Sequence, residues 1–178
     1  MNKIVVIAIL VTVFGLSSFA QETKVKWYSF DEAIKLNKKE KRKIFIDVYT
    51  DWCGWCKKMD ATTFTNPEIA KILNEDYYAV KFDAEQKGEI VYQGKTFKYV
   101  ANGQRGYHEL AAALLNNKLS FPSVAYLNED SKYLTTVPGY QTPERLEPIL
   151  MFFAGDAFKT VSFDEFQKNF ISERNKTN

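Results

Sequence analysis

Cys53 and Cys56 are the only two cysteines in the chain, and two residues separate them. Thiol chemistry has a specific use for that spacing. A thiolate that attacks a disulfide stays trapped as a mixed disulfide until a second thiol expels the bound partner, and a neighbour three residues away supplies that thiol. The flanking sequence gives the two cysteines different surroundings. Ile44-Phe45-Ile46-Asp47-Val48-Tyr49 is a short, nearly continuous run of β-branched and aromatic residues, the pattern of a strand buried on both faces. Its single charge, Asp47, is out of place there. Downstream, Cys56, Met59 and Phe64 line the inner side of a helix while Lys57, Lys58 and Asp60 face water. Cys53 therefore falls at a strand-to-helix turn, where free N–H groups and the helix dipole favour a thiolate. Cys56 lies inside the helix and is the more buried of the two, which suits Cys53 to attack and Cys56 to resolve.

Two plainer readings compete. A structural cross-link over so short a loop removes little entropy from the unfolded chain, on the order of 2 kcal/mol, less than a longer loop would give. A metal site would need more ligands than two cysteines and the distant His108 provide. Lys57 directly after the motif is incompatible with haem attachment of the C-x-x-C-H kind. Redox activity is the preferred reading, and neither a metal nor a cofactor is expected.

The elements that must hold this stretch read in order. Residues 1–20 carry a lone Lys3, an apolar run from Ile4 to Leu16 and the small-x-small ending Ser18-Phe19-Ala20, the form of a signal peptide cleaved after Ala20. The rival is an uncleaved anchor, for which the run is short, since a spanning helix needs about 20 residues. Gln21 stands where a lipoprotein would need a cysteine. Export places the pair where disulfides persist, in a periplasm or an equivalent compartment. Residues 21–178 then form one domain, long enough to bury a real core. The formal charge is +2, and loss of Lys3 lowers it by one, so nothing points to nucleic acid or an anionic membrane.

Val25 to Tyr28 reads as a first strand, and Ser29-Phe30-Asp31-Glu32 as a capping box opening a helix with Phe30, Ala33 and Ile34 inward. The run Lys38 to Lys43 reads as a solvated turn. Asn66-Pro67-Glu68 caps a helix through Ile69, Ile72 and Leu73, and Tyr77 to Asp83 is the next strand, reached by a right-handed parallel crossover. Residues 84–106 are an insert: Ile90 to Tyr92 and Thr96 to Val100 pair as a hairpin about Gln93-Gly94-Lys95, and Asn102 to Gly106 is a flexible exit. Covering the sheet edge is preferred for this insert over touching substrate. Tyr107 to Leu115 reads as a helix with His108 on its outer face and without a catalytic role. Val124 to Leu127 and Tyr133 to Val137 form an antiparallel hairpin. Thr142-Pro143-Glu144 caps a helix to about Phe153, in which Pro148 marks a kink or a later start. Ser162 to Glu165 opens an extra C-terminal helix, with Ser172 to Asn178 frayed.

With these residues in order, the chain resembles the thioredoxin superfamily. Trp52-Cys53-Gly54-Trp55-Cys56-Lys57 is similar to the thioredoxin active site, with Trp55 where that family has proline. Asp47 matches the family's buried acid, Lys81 its lysine partner, Phe121-Pro122-Ser123 its cis-proline loop and Gly139 the glycine after the last strand. The longer string from Tyr49-Thr50-Asp51-Trp52-Cys53 through Thr63-Phe64-Thr65-Asn66-Pro67 is particularly similar to the C-terminal periplasmic domain of DsbD-type thiol:disulfide interchange proteins. The resemblance covers about residues 27–153. It implies an α/β, thioredoxin-like fold: a central mixed β-sheet flanked by helices, here with an inserted β-hairpin and an extra C-terminal helix.

The resemblance also implies a reaction. An exported thiol:disulfide oxidoreductase uses Cys53 and Cys56 on protein or peptide disulfides, with Asp47 taking the Cys56 proton and Lys81 as its ion-pair partner. Trp52, Gly54, Trp55, Phe121, Pro122 and Gly139 bound the substrate. Gly54-Trp55 contains no histidine to stabilise the Cys53 thiolate, which argues for a reductant over a strong oxidant. With too few cysteines for an internal relay, a monomeric reductase needs an outside electron donor, a DsbD-like membrane protein being the candidate. A disulfide isomerase or oxidase on the same fold, or a non-catalytic binding module, are the alternatives.

Overall fold

Local sequence starts most of the helices in the computed structural model, which describes residues 24–177; the signal peptide read over residues 1–20 lies outside that range. After β1 (Trp27–Tyr28), α1 (Phe30–Lys39) begins at a complete capping box. The Ser29 hydroxyl accepts from the Glu32 amide and the Glu32 carboxylate accepts from the Ser29 amide, so two otherwise orphaned donors are satisfied. β2 (Lys43–Tyr49) leads into α2 (Gly54–Thr62). α3 (Pro67–Asp76) is started by the Asn66 side chain, which accepts from the amides of Glu68 and Ile69. β3 (Tyr77–Asp83) follows, then four short strands, β4 (Ile90–Tyr92), β5 (Lys95–Phe97), β6 (Tyr99–Asn102) and β7 (Arg105–His108). The chain continues through α4 (Glu109–Leu114), β8 (Ser123–Leu127), β9 (Tyr133–Pro138) and α5 (Pro143–Ala154). It closes with a 3-10 turn (Ala157–Lys159) and α6 (Phe163–Thr177).

Five strands form one mixed sheet in the order β1-β3-β2-β8-β9. β2 is central, parallel to β3 and antiparallel to β8, with Asp47 opposite Lys81 on one side and Val124 on the other. Alternation along β2 divides the core in two. Ile44, Ile46 and Val48 pack with Phe30 and Ala33 of α1 and Leu110 of α4. Phe45 faces the other way, with Met59 of α2, Leu73 of α3 and Leu146 of α5. The result is helices on both faces of the sheet, with α6 laid on α5 through Phe163 and Phe166, whose rings each sit 5.3 Å from that of Phe152. Among the described residues no helix is long and apolar enough to cross a membrane.

Several local expectations are corrected. The run Lys38 to Lys43 is not wholly solvated: Lys43 starts the central strand, is buried, and holds Glu129 and Asp156 in ion pairs. Burial works against its ammonium, but the two carboxylates outweigh it and raise the pKa above the ordinary lysine value. Asn102 to Gly106 is not a loose exit but the turn of a second hairpin, β6–β7, which pairs Asn102 with Arg105. The first hairpin, β4–β5, has the two-residue turn Gln93-Gly94 with both φ angles positive, as a tight right-twisted hairpin requires. Tyr107 and His108 belong to β7 rather than to a helix, and His108 is fully buried. Its Nδ1 caps α4 by accepting from the Leu110 amide, and its Nε2 bonds the Gly88 carbonyl. Pro148 sits inside α5 without delaying its start, and α6 runs to Thr177 where fraying from Ser172 was expected.

Candidate functional site

Thr50, Asp51 and Trp52 turn the chain out of β2, with the Cys53 amide donating to the Thr50 carbonyl at 3.1 Å. Cys53 is then the N-cap residue of α2. Its Sγ accepts from the Cys56 amide at 3.0 Å, one of the free N–H groups at the start of the helix. The two cysteines are joined by a disulfide with a Cα–Cα distance of 5.3 Å. Both are largely covered, Cys53 at 5% exposure and Cys56 at 2%. In the reduced state the amide that points at Cys53 Sγ, and the helix terminus behind it, stabilise a thiolate there more than at Cys56.

Asp47 shares its face of β2 with Phe45, the face covered by α2, and so lies under the helix that carries the cysteines. One carboxylate oxygen, Oδ2, is held by the Lys81 ammonium. The other, Oδ1, has no protein partner among the described residues. Burial pushes the Asp47 carboxyl up to about 6, with Lys81 pulling it down and Asp60 adding to the rise. Lys81 is itself shared. Asp60, expected to face water, is half-exposed and turns its carboxylate onto the same ammonium. Burial disfavours the Lys81 cation, but the two acids outweigh it and raise its pKa. A cleft lined by Trp27, Phe64, Asp60 and Lys81 opens this pair to solvent, while Asp47 stays sealed.

The rim is aromatic. Trp52 and Trp55 are 50% and 57% exposed. The Trp52 ring meets Phe121 edge to face at 6.0 Å, its Nε1 donates to the Glu85 carboxylate at 3.0 Å, and the Arg105 guanidinium lies 4.5 Å from its centroid. Trp55 leans on Tyr140 at 5.5 Å, with the Lys58 ammonium 4.8 Å from the Trp55 ring. The Phe121–Pro122 peptide bond is cis. The Pro122 carbonyl accepts from the Gly139 amide at 2.8 Å, and Gly139 has φ of +86°, a conformation glycine adopts without penalty. Among the described residues, nothing beyond Gly54's chain neighbours and its own helix backbone comes within 4 Å of where a side chain would begin, so it leaves the surface beside Cys53 open.

Cys53, Cys56, Trp52 and Phe121 thus meet at one end of the sheet, with Asp47 and Lys81 beneath. Four participants were not foreseen. Asp60 stands four residues after Cys56, on the same side of α2, so helical spacing could have placed it. Tyr140 adjoins the turn glycine. Glu85 and Arg105 reach Trp52 only because the insert folds back, and no local pattern announces that. Among the described residues no three metal-ligating side chains converge.

A family profile, Thioredox_DsbH, described as "Protein of unknown function, DUF255", matches residues 16–150. The chain belongs to that family. Human spermatogenesis-associated protein 20 is 33% identical over 84 residues, 47% of this chain but 11% of the human protein. The thiol:disulfide interchange protein DsbD of Colwellia psychrerythraea is 30% identical over 79 residues, 42% of this chain and 13% of that protein. The chain therefore spans only a small part of these curated relatives. Among solved structures, a thioredoxin-fold protein from Helicobacter pylori superposes with a TM-score of 0.59 at 13% identity, covering 90% of this chain and 97% of that one. A thioredoxin from Thermus thermophilus gives 0.54 at 14% identity, over 73% and 87%. The fold is that of thioredoxin. A member of this family with a closed Cys-x-x-Cys disulfide at a helix N-terminus has the make-up of a thiol:disulfide oxidoreductase.

Proposed function

We propose that the chain is an exported reductant of protein disulfides. The observation that carries the reading is the Cys53–Cys56 disulfide closed across the first turn of α2 above a buried, half-satisfied carboxylate. In the reduced enzyme the Cys53 thiolate attacks one sulfur of a substrate disulfide, and the other sulfur leaves as a thiolate that takes up a proton. Cys56 then loses its proton, attacks Cys53 Sγ and releases the second substrate thiol. The substrate gains two electrons and the enzyme's dithiol becomes the disulfide. Asp47 is the base for Cys56, directly or through one water. A carboxyl near 6 is a better proton acceptor at neutral pH than an ordinary one. Lys81 keeps that carboxyl from rising further.

Trp52, Trp55, Phe121 and Pro122 bound the approach to Cys53, and Gly54 leaves room for a polypeptide. Gly139 holds the Pro122 carbonyl in place. An outside dithiol must restore the reduced pair, and a DsbD-like membrane protein is the proposed donor, in line with the similarity to that protein in Colwellia psychrerythraea. Residues 1–20, as a signal peptide, direct the chain to the periplasm.

The test is the equilibrium reduction potential of Cys53/Cys56 against a dithiothreitol or glutathione series, read by alkylation and mass. A value near about −270 mV supports the reductase, and one between about −180 and −120 mV makes the protein an isomerase or oxidase instead. Partner binding that survives replacement of both cysteines by serine, with no exchange in the parent, would make it a binding module.

A further inference from the structure

The β6–β7 hairpin reaches the Trp52 side of the disulfide, where it closes a cleft of about 200 Å³. Its lining takes Trp52, Leu119 and Phe121 from the body of the domain and Arg105, Gly106 and Tyr107 from the hairpin. Position ties the cleft to the reaction. Trp52 precedes the attacking cysteine, Phe121 precedes the cis proline, and successive residues of an extended chain advance only about 3.3–3.6 Å. A residue beside a cysteine bound at Cys53 is therefore within reach of the cleft.

Size and chemistry narrow the occupant. The volume is below the roughly 300–1,000 Å³ of small-molecule sites and matches a single large side chain. The lining is mainly apolar and aromatic. Of its charged groups, Glu85 is engaged by Trp52 Nε1 and the Arg105 guanidinium sits 4.5 Å from the Trp52 ring centroid, which leaves no buried charge for an ionic occupant. The backbone beside it is free of the sheet, since the β2–β8 ladder begins at Ser123, two residues after Phe121. The hairpin's part of the lining is also held to one shape: a side chain at Gly106 would collide with the Val100 carbonyl and the Tyr99 ring.

We propose that this cleft is a specificity subsite that takes one leucine- or phenylalanine-sized apolar side chain from the substrate polypeptide, next to its reactive cysteine. Arg105 and Leu119 are its specificity-determining residues, and the inserted hairpin is part of the substrate site. The inference rests on the reading of Cys53–Cys56 as a pair that exchanges with protein disulfides.

The experiment uses short peptides whose cysteine carries a chromophoric thiol in disulfide linkage and which differ only in the residue on either side of it: glycine, aspartate, leucine or phenylalanine. The reduced protein is mixed with each, and the rate of thiol release is read at subsaturating peptide. Burying such a side chain predicts a leucine or phenylalanine peptide about tenfold faster than the glycine peptide. That ratio should fall toward one in Arg105→Ala and in Leu119→Ser, the first on the hairpin and the second outside it, so that one disrupted hairpin would not decide the matter. Equal rates for all peptides, a preference for aspartate, or an unchanged ratio in both variants would overturn the subsite and leave the reductase reading standing. Failure to reduce even the glycine peptide would overturn that reading and the subsite with it.

Discussion

Replacing Asp47 by asparagine should make the protein more stable and less active, and the stability gain should depend on pH in a defined way. Burial raises the Asp47 carboxyl from 3.8 to about 6 against the opposing pull of Lys81. Between those two values the native chain binds a proton that the unfolded chain has released. Stability therefore falls as pH rises from 3.8 to 6, and the whole penalty is present above 6. About two pKa units at about 1.36 kcal/mol each give roughly 3 kcal/mol. Asparagine has the shape of the neutral acid, and Lys81 keeps Asp60 as a partner in either case. Asp47→Asn should thus exceed the parent by up to about 3 kcal/mol at pH 8, equivalent to some 6–12 °C in Tm for a domain of this size. The difference should shrink toward zero near pH 4. Urea unfolding of the oxidised protein at intervals from pH 4 to 8, extrapolated linearly to water, measures it. A variant less stable than the parent at pH 8, or a gain that does not change with pH, would refute the account of Asp47 as a destabilising buried acid retained for proton transfer. In the same variant the release step should slow at neutral pH, because Cys56 has lost its base.

Cys56→Ser should trap a stoichiometric mixed disulfide between Cys53 and a peptide substrate, seen as an added mass, whereas Cys53→Ser should leave the covered Cys56 without an adduct. The opposite pattern would reverse their roles. Asp60→Asn should lower the Asp47 pKa from about 6, because it removes a nearby negative charge and leaves Lys81 wholly to Asp47. A carbon-detected NMR titration of the Asp47 carboxyl reads this, and an upward shift would contradict the shared-lysine arrangement. Gly139→Ala should cost about 1–2 kcal/mol, the penalty of a β-carbon in a left-handed conformation. The space around it is open, so a urea midpoint much lower than that implies would point to a packing role the geometry does not contain.

The framework was legible because its signals are local. Ser29 and Glu32, Asn66 and Pro67, and Gln93 and Gly94 each announce a cap or turn within four residues, and Ile44 to Tyr49 can be little else than a buried strand. That Cys53 falls at the strand-to-helix turn opening α2 followed from the change of hydrophobic period around it. What escaped is long-range. Lys43 belongs to a charged run by composition, and only the approach of Glu129 and Asp156 makes its burial tolerable. His108 has no periodicity that separates an outward helical histidine from a buried cap, and the Gly88 carbonyl that fixes it lies 20 residues away. Arg105 sits in a stretch with the composition of a loop. Its place over Trp52 depends on two successive hairpins closing in the right order.

The buried charges of β2 have an effect on assembly distinct from their chemistry. A strand reading Ile44-Phe45-Ile46 pairs about equally well in several alignments, since each hydrophobic residue accepts almost any apolar neighbour. Lys43 and Asp47 stand on the same face, one near each end; Asp47 meets Lys81 directly across from it on β3, and Lys43 meets Glu129 and Asp156 from the segments that follow β8 and α5. A slip by one residue would turn both charges into the face packed against α1 and α4, unpaired, at a cost of several kcal/mol apiece. The two residues therefore pin the alignment of the central strand, and with it the height at which Cys53 meets Phe121 across the end of the sheet.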